Sequence, residues 1–176
     1  MADVEIRDAL PLDGLRLSEI YTHYVERTAI TFDFVPRTAE GFAELVASVQ
    51  ESYPFLVAVL NGDVVGYAYA ARFRRQAAYD ACVELSIYLD PSHMGEGIGR
   101  MLYEELERRL VSQGVTNLYA CVAYPIEPDE YLDANSAEFH EHLGFTTIGR
   151  FHRCGRKFGR VYDMIWMEKL LDQQQL

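Results

Sequence analysis

The apolar positions change period along the chain, and the changes mark its elements. Residues 83–89 alternate, with Val83, Leu85, Ile87 and Leu89 apolar and Glu84, Ser86 and Tyr88 between them, which predicts a strand. Asp90-Pro91-Ser92 stops it, because proline cannot donate to a ladder. After a glycine-rich stretch the period becomes helical. Ile98, Met101, Leu102, Leu106 and Leu110 form one face, Arg100, Glu104, Glu107 and Arg108 point outward, and Gly114 is a natural stop. Upstream, residues 4–7 alternate as a first strand. Asp13 is placed to cap a helix to about Val25, with Leu15, Ile20 and Tyr24 inward. Residues 28–36 are aromatic without a helical period, so a loop or short strand is predicted. Thr38 opens a second helix toward Ser52 with Phe42, Leu45, Val46 and Val49 on one face. Residues 55–60 and 64–73 flank Asn61-Gly62-Asp63, a hairpin signal. Residues 117–123 are apolar enough for a strand buried between neighbours. Asn135 and Glu138 suggest a capping-box variant for a helix ending at Gly144, and strands are predicted at 145–152 and 158–168. The pattern is one mixed α/β domain over residues 1–171, with a frayed tail at 172–176.

Composition narrows the class. A chain of 176 residues with 49% hydrophobic content can bury a core, which argues against disorder. No apolar run reaches membrane-span length, and the acidic start lacks the features of a signal peptide. Three cysteines, Cys82, Cys121 and Cys154, leave an odd one and show no C-x-x-C spacing, so reduced thiols in a cytoplasm are expected. A formal net charge of −11 repels nucleic acid and anionic lipid and is compatible with a cationic or zwitterionic substrate.

The candidate chemistry begins with Gly95, Gly97 and Gly99, between a strand and a helix. The first N–H groups of a helix lack internal partners and sit at the positive end of its dipole, and glycine lets an anion approach them. Arg100 and Leu102 exclude a dinucleotide G-x-G-x-x-G, and the Gly-Lys-Ser/Thr of a nucleoside-triphosphate loop is absent. The histidines and Cys154 fit no recognised zinc spacing, so no metal is expected.

Met94-Gly95-Glu96-Gly97-Ile98-Gly99 resembles the acetyl-CoA-binding motif Gln/Arg-x-x-Gly-x-Gly/Ala of the GCN5-related N-acetyltransferase (GNAT) superfamily. It departs at Met94, which offers no donor, and Glu96 adds a negative charge near the expected pyrophosphate. Three further blocks, in order, are similar to the phosphinothricin and methionine-sulfoximine acetyltransferase branch. They are Ala78-Tyr79-Asp80 through Leu89, Asn135 with His140-Glu141-His142-Leu143-Gly144-Phe145, and Gly155 through Asp163. The resemblance implies a central twisted mixed sheet of about seven strands flanked by helices. It also implies acetyl-CoA as cosubstrate, bound by Ile87, Tyr88, Leu89, residues 94–99, Arg100 and Asn135, and a homodimer.

Acyl transfer to an amine needs a base, an oxyanion site and a proton for the departing thiolate. The resemblance assigns Glu84 as base, since a carboxylate partly removed from water accepts a proton near neutrality. Backbone N–H groups around residues 87–89 would face the oxyanion. His140 stands where many superfamily members carry an acidic tyrosine. Asn135 resembles the pantetheine-contacting asparagine, although an N-cap explains it equally well. Phe32, Phe34 and Tyr79 are expected to touch the acceptor, with Arg74 or Arg75 replacing an arginine that the branch carries where Gln76 stands. The expected acceptor is the primary amine of a small amino acid or analogue. Polyamines or peptide N-termini are the alternative, favoured by Gln76 and an acidic segment at 124–133. A CoA-binding regulator without turnover is the third.

Overall fold

The structure, a computed structural model, describes residues 4–171. The predicted tail at 172–176 lies outside them. Seven strands form one sheet in the order β1-β2-β3-β4-β5-β7-β6. They are β1 (Val4–Asp8), β2 (Phe55–Leu60), β3 (Asp63–Arg72), β4 (Cys82–Leu89), β5 (Asn117–Tyr124), β6 (Thr146–Lys157) and β7 (Arg160–Leu170). Four helices cover it: α1 (Gly14–Arg27), α2 (Ala39–Gln50), α3 (Ile98–Ser112) and α4 (Asn135–His142). Every neighbouring pair is antiparallel except β4 and β5.

The two faces of β4 divide the core. Leu85, Ile87 and Leu89 pack with α3, whose Ile98, Leu102, Tyr103, Leu106 and Leu110 are buried. Tyr88, with Tyr67 and Tyr69 of β3, faces the α1 and α2 side, where Leu17, Ile20, Tyr24, Phe42 and Val46 pack. The Asn61-Gly62 turn between β2 and β3 has φ of 53° and 92°, the doubly left-handed pair that a tight hairpin needs.

Three expected contacts differ. Asp13 does not cap α1 with its side chain. Its carboxylate takes the Leu10 N–H at 2.8 Å and the Arg7 guanidinium at 2.8 and 2.9 Å, closing the turn ahead of the helix. Leu15 and Met101 are exposed: α1 buries Leu17, Ile20, Tyr21 and Tyr24, and α3 buries Ile98, Leu102, Tyr103, Leu106 and Leu110, which leaves these two at the solvent edge of their stripes. Tyr103 extends the buried face of α3 on the side away from Met101. Asn135 begins α4 without capping it; Asp133 accepts its backbone N–H at 3.0 Å and its side-chain amide at 2.6 Å.

Candidate active site

The site is an opening between two strands. β4 and β5 pair only at Cys82 with Asn117, Val83 with Leu118 and Glu84 with Tyr119. Beyond Glu84 the strands diverge, β5 continuing along β7 to Tyr124 and β4 along β3 to Leu89. Backbone groups alternate between the two edges of a strand. The Ala81 carbonyl accepts from Thr116 and Asn117 on the β5 side, while the Asp90 N–H donates to Val65 on the β3 side at 2.8 Å. With no register shift along β4, alternation directs the N–H and C=O of Leu85, Ile87 and Leu89 at the β5 side. The Leu85 N–H still closes the Glu84–Tyr119 pairing on the Tyr119 carbonyl; beyond it, the Ile87 and Leu89 groups face no strand among the described residues.

Two adjacent spaces, sharing four wall residues, lie along this edge. The larger, about 620 Å³, is lined by Leu89, Met94, Gly95, Gly97, Ile98, Gly99, Arg100 and Phe139, with Tyr24, Asp133 and Asn135 among its other walls. Gly95 and Gly97 have φ of 80° and 82°, and a Cβ on either would meet nothing within 4 Å, so their backbone lies open to a ligand. Gly99 serves packing instead: a Cβ there would lie 3.0 Å from the Phe139 ring. The smaller space, about 240 Å³, is lined by Thr31, Phe32, Glu84, Ser86, Tyr103, Cys121, His140 and Met164 among others. Ile30, Ile87, Tyr88 and Ser136 line both.

Glu84 lines the smaller space and makes no ion pair or hydrogen bond among the described residues. Burial lifts its carboxyl above the ordinary glutamate value, and the Arg74 guanidinium opposes part of that rise. Arg72, the obvious pairing partner by sequence, turns to Asp80 at 3.8 Å. His140 is buried, and both its nitrogens are occupied. Nδ1–H donates to the Ser136 carbonyl at 2.7 Å, which leaves Nε2 to accept the Tyr103 hydroxyl at 3.0 Å. Burial pushes the imidazole below its ordinary pKa, against the bond to Ser136. In this arrangement His140 has no proton free to give; the shared proton belongs to Tyr103.

The other predicted residues separate. Ile87, Tyr88, Leu89, Met94, Ile98, Arg100 and Asn135 line the larger cleft, and Phe32 lines the smaller space. The Asn135 amide, however, is held by Asp133. Glu96 leans on His93 at 3.2 Å and is outside the cleft lining, so its charge is turned from the position expected for it. Arg74 stacks on the Phe73 ring with its guanidinium carbon 4.3 Å from the ring centre. Phe34, Arg75 and Tyr79 are exposed and line neither space. Phe34 sits on a loop whose root, not its tip, turns inward. The acidic segment is no loose screen. Asp129 accepts the Tyr131 and Leu132 N–H groups and the Tyr162 hydroxyl, and Arg160 pairs with Glu130 at 2.7 Å.

Sequence reasoning missed Tyr103, Tyr24 and His142. Tyr103 falls on the buried α3 stripe, four residues after Gly99, where its hydroxyl made it easy to pass over. His142 carries no local signal for a role, yet it lines the larger cleft.

Comparison with known proteins agrees with this geometry. The model of the acetyltransferase (GNAT) domain matches residues 6–166. The chain is 34% identical over 174 residues to the phosphinothricin N-acetyltransferase of Streptomyces coelicolor, spanning 97% of this chain and 98% of that one. It is 34% identical over 169 residues to the L-methionine sulfoximine/L-methionine sulfone acetyltransferase of Salmonella typhimurium, spanning 96% and 95%. The crystal structure of a Sinorhizobium meliloti phosphinothricin acetyltransferase in complex with acetyl-CoA matches with a TM-score of 0.87 at 32% identity, covering 97% of this chain and 89% of that one. The chain belongs to the GNAT acetyltransferase family and is an N-acetyltransferase, as its motifs imply.

Proposed function

We propose that the protein transfers acetyl from acetyl-CoA to the α-amine of a small amino acid by direct attack, with Glu84 as base. The observation that carries this reading is the opening of β4 from β5 immediately past Glu84. It leaves an unpaired strand edge on which a pantetheine chain adds as a strand would, with the open Gly95 and Gly97 backbone beyond it for the pyrophosphate. Arg100 in the cleft wall adds a charged donor where Met94 gives none.

The amine nitrogen attacks the thioester carbon and loses its proton to Glu84, directly or through a water. The carbonyl oxygen gains the charge, which a β4 N–H facing the opening stabilises. Collapse breaks the carbon–sulfur bond; the departing thiolate takes back, through water, the proton that Glu84 received, and the Tyr103 hydroxyl in the same wall, which burial keeps protonated, stabilises the sulfur by a hydrogen bond once it turns from His140 Nε2. His140 acts here as the holder of Tyr103. Tyr103→Phe is expected to lower kcat roughly ten- to hundredfold, the worth of one hydrogen bond to a charged group, with the KM for acetyl-CoA little changed. Steady-state kinetics checks this.

The relatives' names offer phosphinothricin and methionine derivatives as acceptors. No lysine or arginine lines the smaller space; Phe32, Val122, Ala123 and Met164 do. A neutral side chain, as in methionine sulfone, suits that wall better than a second anion, and the Arg74 charge, which acts on Glu84 from outside the space, offsets part of the negative potential that an α-carboxylate would meet. Thiol release from acetyl-CoA against methionine sulfone, methionine sulfoximine, phosphinothricin, polyamines and short peptides tests the reading. Rates led by the two methionine derivatives support it, and rates only with polyamines or peptides overturn the acceptor class.

A cytoplasmic homodimer completes the proposal. It rests on the branch resemblance and on Tyr79, Ile148 and Phe151, large apolar side chains left exposed. Sedimentation equilibrium is expected to return twice the chain mass; a monomer at micromolar concentration contradicts it.

A further inference from the structure

Tyr24 and Tyr21 stand one helical turn apart on α1, and their hydroxyls reach different sites. The Tyr24 hydroxyl donates to the Leu89 carbonyl at 2.6 Å. That carbonyl belongs to the β4 edge facing the opening, and Tyr24 itself lines the larger cleft. The Tyr21 hydroxyl donates to Asp33 at 2.6 Å and lies 3.0 Å from the Thr31 hydroxyl. Thr31 walls the smaller space. Between them lies Tyr88, which lines both spaces and meets Tyr24 and Tyr21 edge-on, at ring-centre distances of 5.1 and 5.0 Å. One packed aromatic unit therefore touches the cofactor edge at one end and the acceptor wall at the other.

We propose that Tyr24, Tyr88 and Tyr21 couple the two sites, the Tyr24 hydroxyl holding the Leu89 carbonyl until a pantetheine amide takes it. The inference rests on the acetyl-CoA reading above. The two-state element is a single hydrogen bond. A carbonyl oxygen has two lone pairs, and in this scheme the incoming amide N–H displaces the Tyr24 hydroxyl from Leu89 rather than joining it. A displaced Tyr24 ring changes the edge against which Tyr88 packs, and Tyr88 in turn backs Tyr21 and its hold on Thr31 and Asp33. A close-packed core passes such a shift on rather than absorbing it. Coupling between two sites is reciprocal, so CoA then tightens acceptor binding by the factor by which acceptor tightens CoA. Tyr24 and Tyr21 are positioning residues in this scheme, acting through Leu89 and Thr31.

The sign of one substitution separates this from a structural role. Tyr24→Phe keeps the ring and frees the Leu89 carbonyl. If the hydroxyl competes with pantetheine, CoA binds the variant more tightly than wild type, by about fivefold for one net hydrogen bond of ordinary strength. A merely structural hydroxyl gives the opposite sign or no change. Calorimetric titration of CoA, then of methionine sulfone with and without CoA, reads both quantities, and far-UV circular dichroism verifies folding of each variant. In wild type CoA is expected to tighten methionine sulfone at least about fivefold, within the usual range of coupling. In Tyr24→Phe that ratio is expected to fall toward one. Tyr21→Phe is expected to reduce the ratio as well while leaving CoA affinity unchanged. An unchanged ratio in both variants, or weaker CoA binding by Tyr24→Phe, overturns the coupling and leaves the acetyltransfer reading standing. Failure of wild type to bind CoA at all overturns both.

Discussion

Glu84→Gln is expected to lower kcat by roughly 10²- to 10⁴-fold, the usual worth of a positioned general base, and to leave CoA binding nearly intact. The glutamine keeps the shape and loses only the capacity to take the proton. In the wild-type enzyme the acidic limb of kcat/KM reports the ionisation of this carboxyl. Burial raises its pKa, so that limb falls above the ordinary glutamate value of 4.5, and activity rises with pH through it. The variant's residual activity lacks the limb. Stability moves the other way. Between the unfolded and the raised folded pKa the native state binds the extra proton, so ionising Glu84 lowers folding stability as pH rises through that window. The deficit is complete above the folded pKa. Glu84→Gln removes it, so the variant is expected to melt above wild type at neutral pH, the gap closing below the ordinary glutamate pKa. A parallel loss of activity and stability would instead mark Glu84 as structural. Thermal melts and pH-rate profiles on the same preparations decide between them.

Gly155→Ala is expected to damage the acceptor side selectively. A Cβ at Gly155 would lie 2.2 Å from the tip of the Phe32 ring and 2.4 and 2.8 Å from two more of its atoms, so the ring must move. Its room is limited. The ring stacks on Tyr162, and the preceding carbonyl, of Thr31, accepts from the buried Lys157 Nζ at 2.8 Å. Overpacking of this kind costs about 1–3 kcal/mol, and here it displaces a wall of the smaller space. The KM for the amino acid is therefore expected to rise about tenfold or more, with the KM for acetyl-CoA nearly unchanged, because Phe32 is absent from the lining of the larger cleft. An equal rise in both constants would point to general unfolding.

These two residues also show what was legible in the sequence. The strand that carries Glu84 was readable because it alternates cleanly and the following glycines mark a ligand loop, period and turn chemistry being local signals; the role of base for Glu84 comes from the resemblance alone. The sheet, its hairpin and the glycine loop were readable for the same reason. Gly155 and Lys157 belong to a block recognisable by resemblance, but their task, seating Phe32 and holding the Thr31 carbonyl, depends on a segment more than 120 residues away in the chain. No local pattern encodes such a contact. His140 illustrates the same limit. Its type suggested an acid, whereas its protonation is set by Ser136 one turn back and by Tyr103 on another helix. Arg75, Tyr79 and Phe34, which the resemblance puts near the acceptor, each stand exposed outside both spaces.

The account turns on the opening between β4 and β5 as the place where thioester and amine meet. A crystal structure of the protein with CoA tests this most directly. The account predicts the pantetheine arm lying along β4, hydrogen-bonded to backbone groups of Ile87 and Leu89, with its sulfur in the opening between Glu84 and the Tyr103–His140 pair. A CoA bound by the glycine loop with its arm directed outside the opening, or its sulfur remote from Glu84, would contradict it.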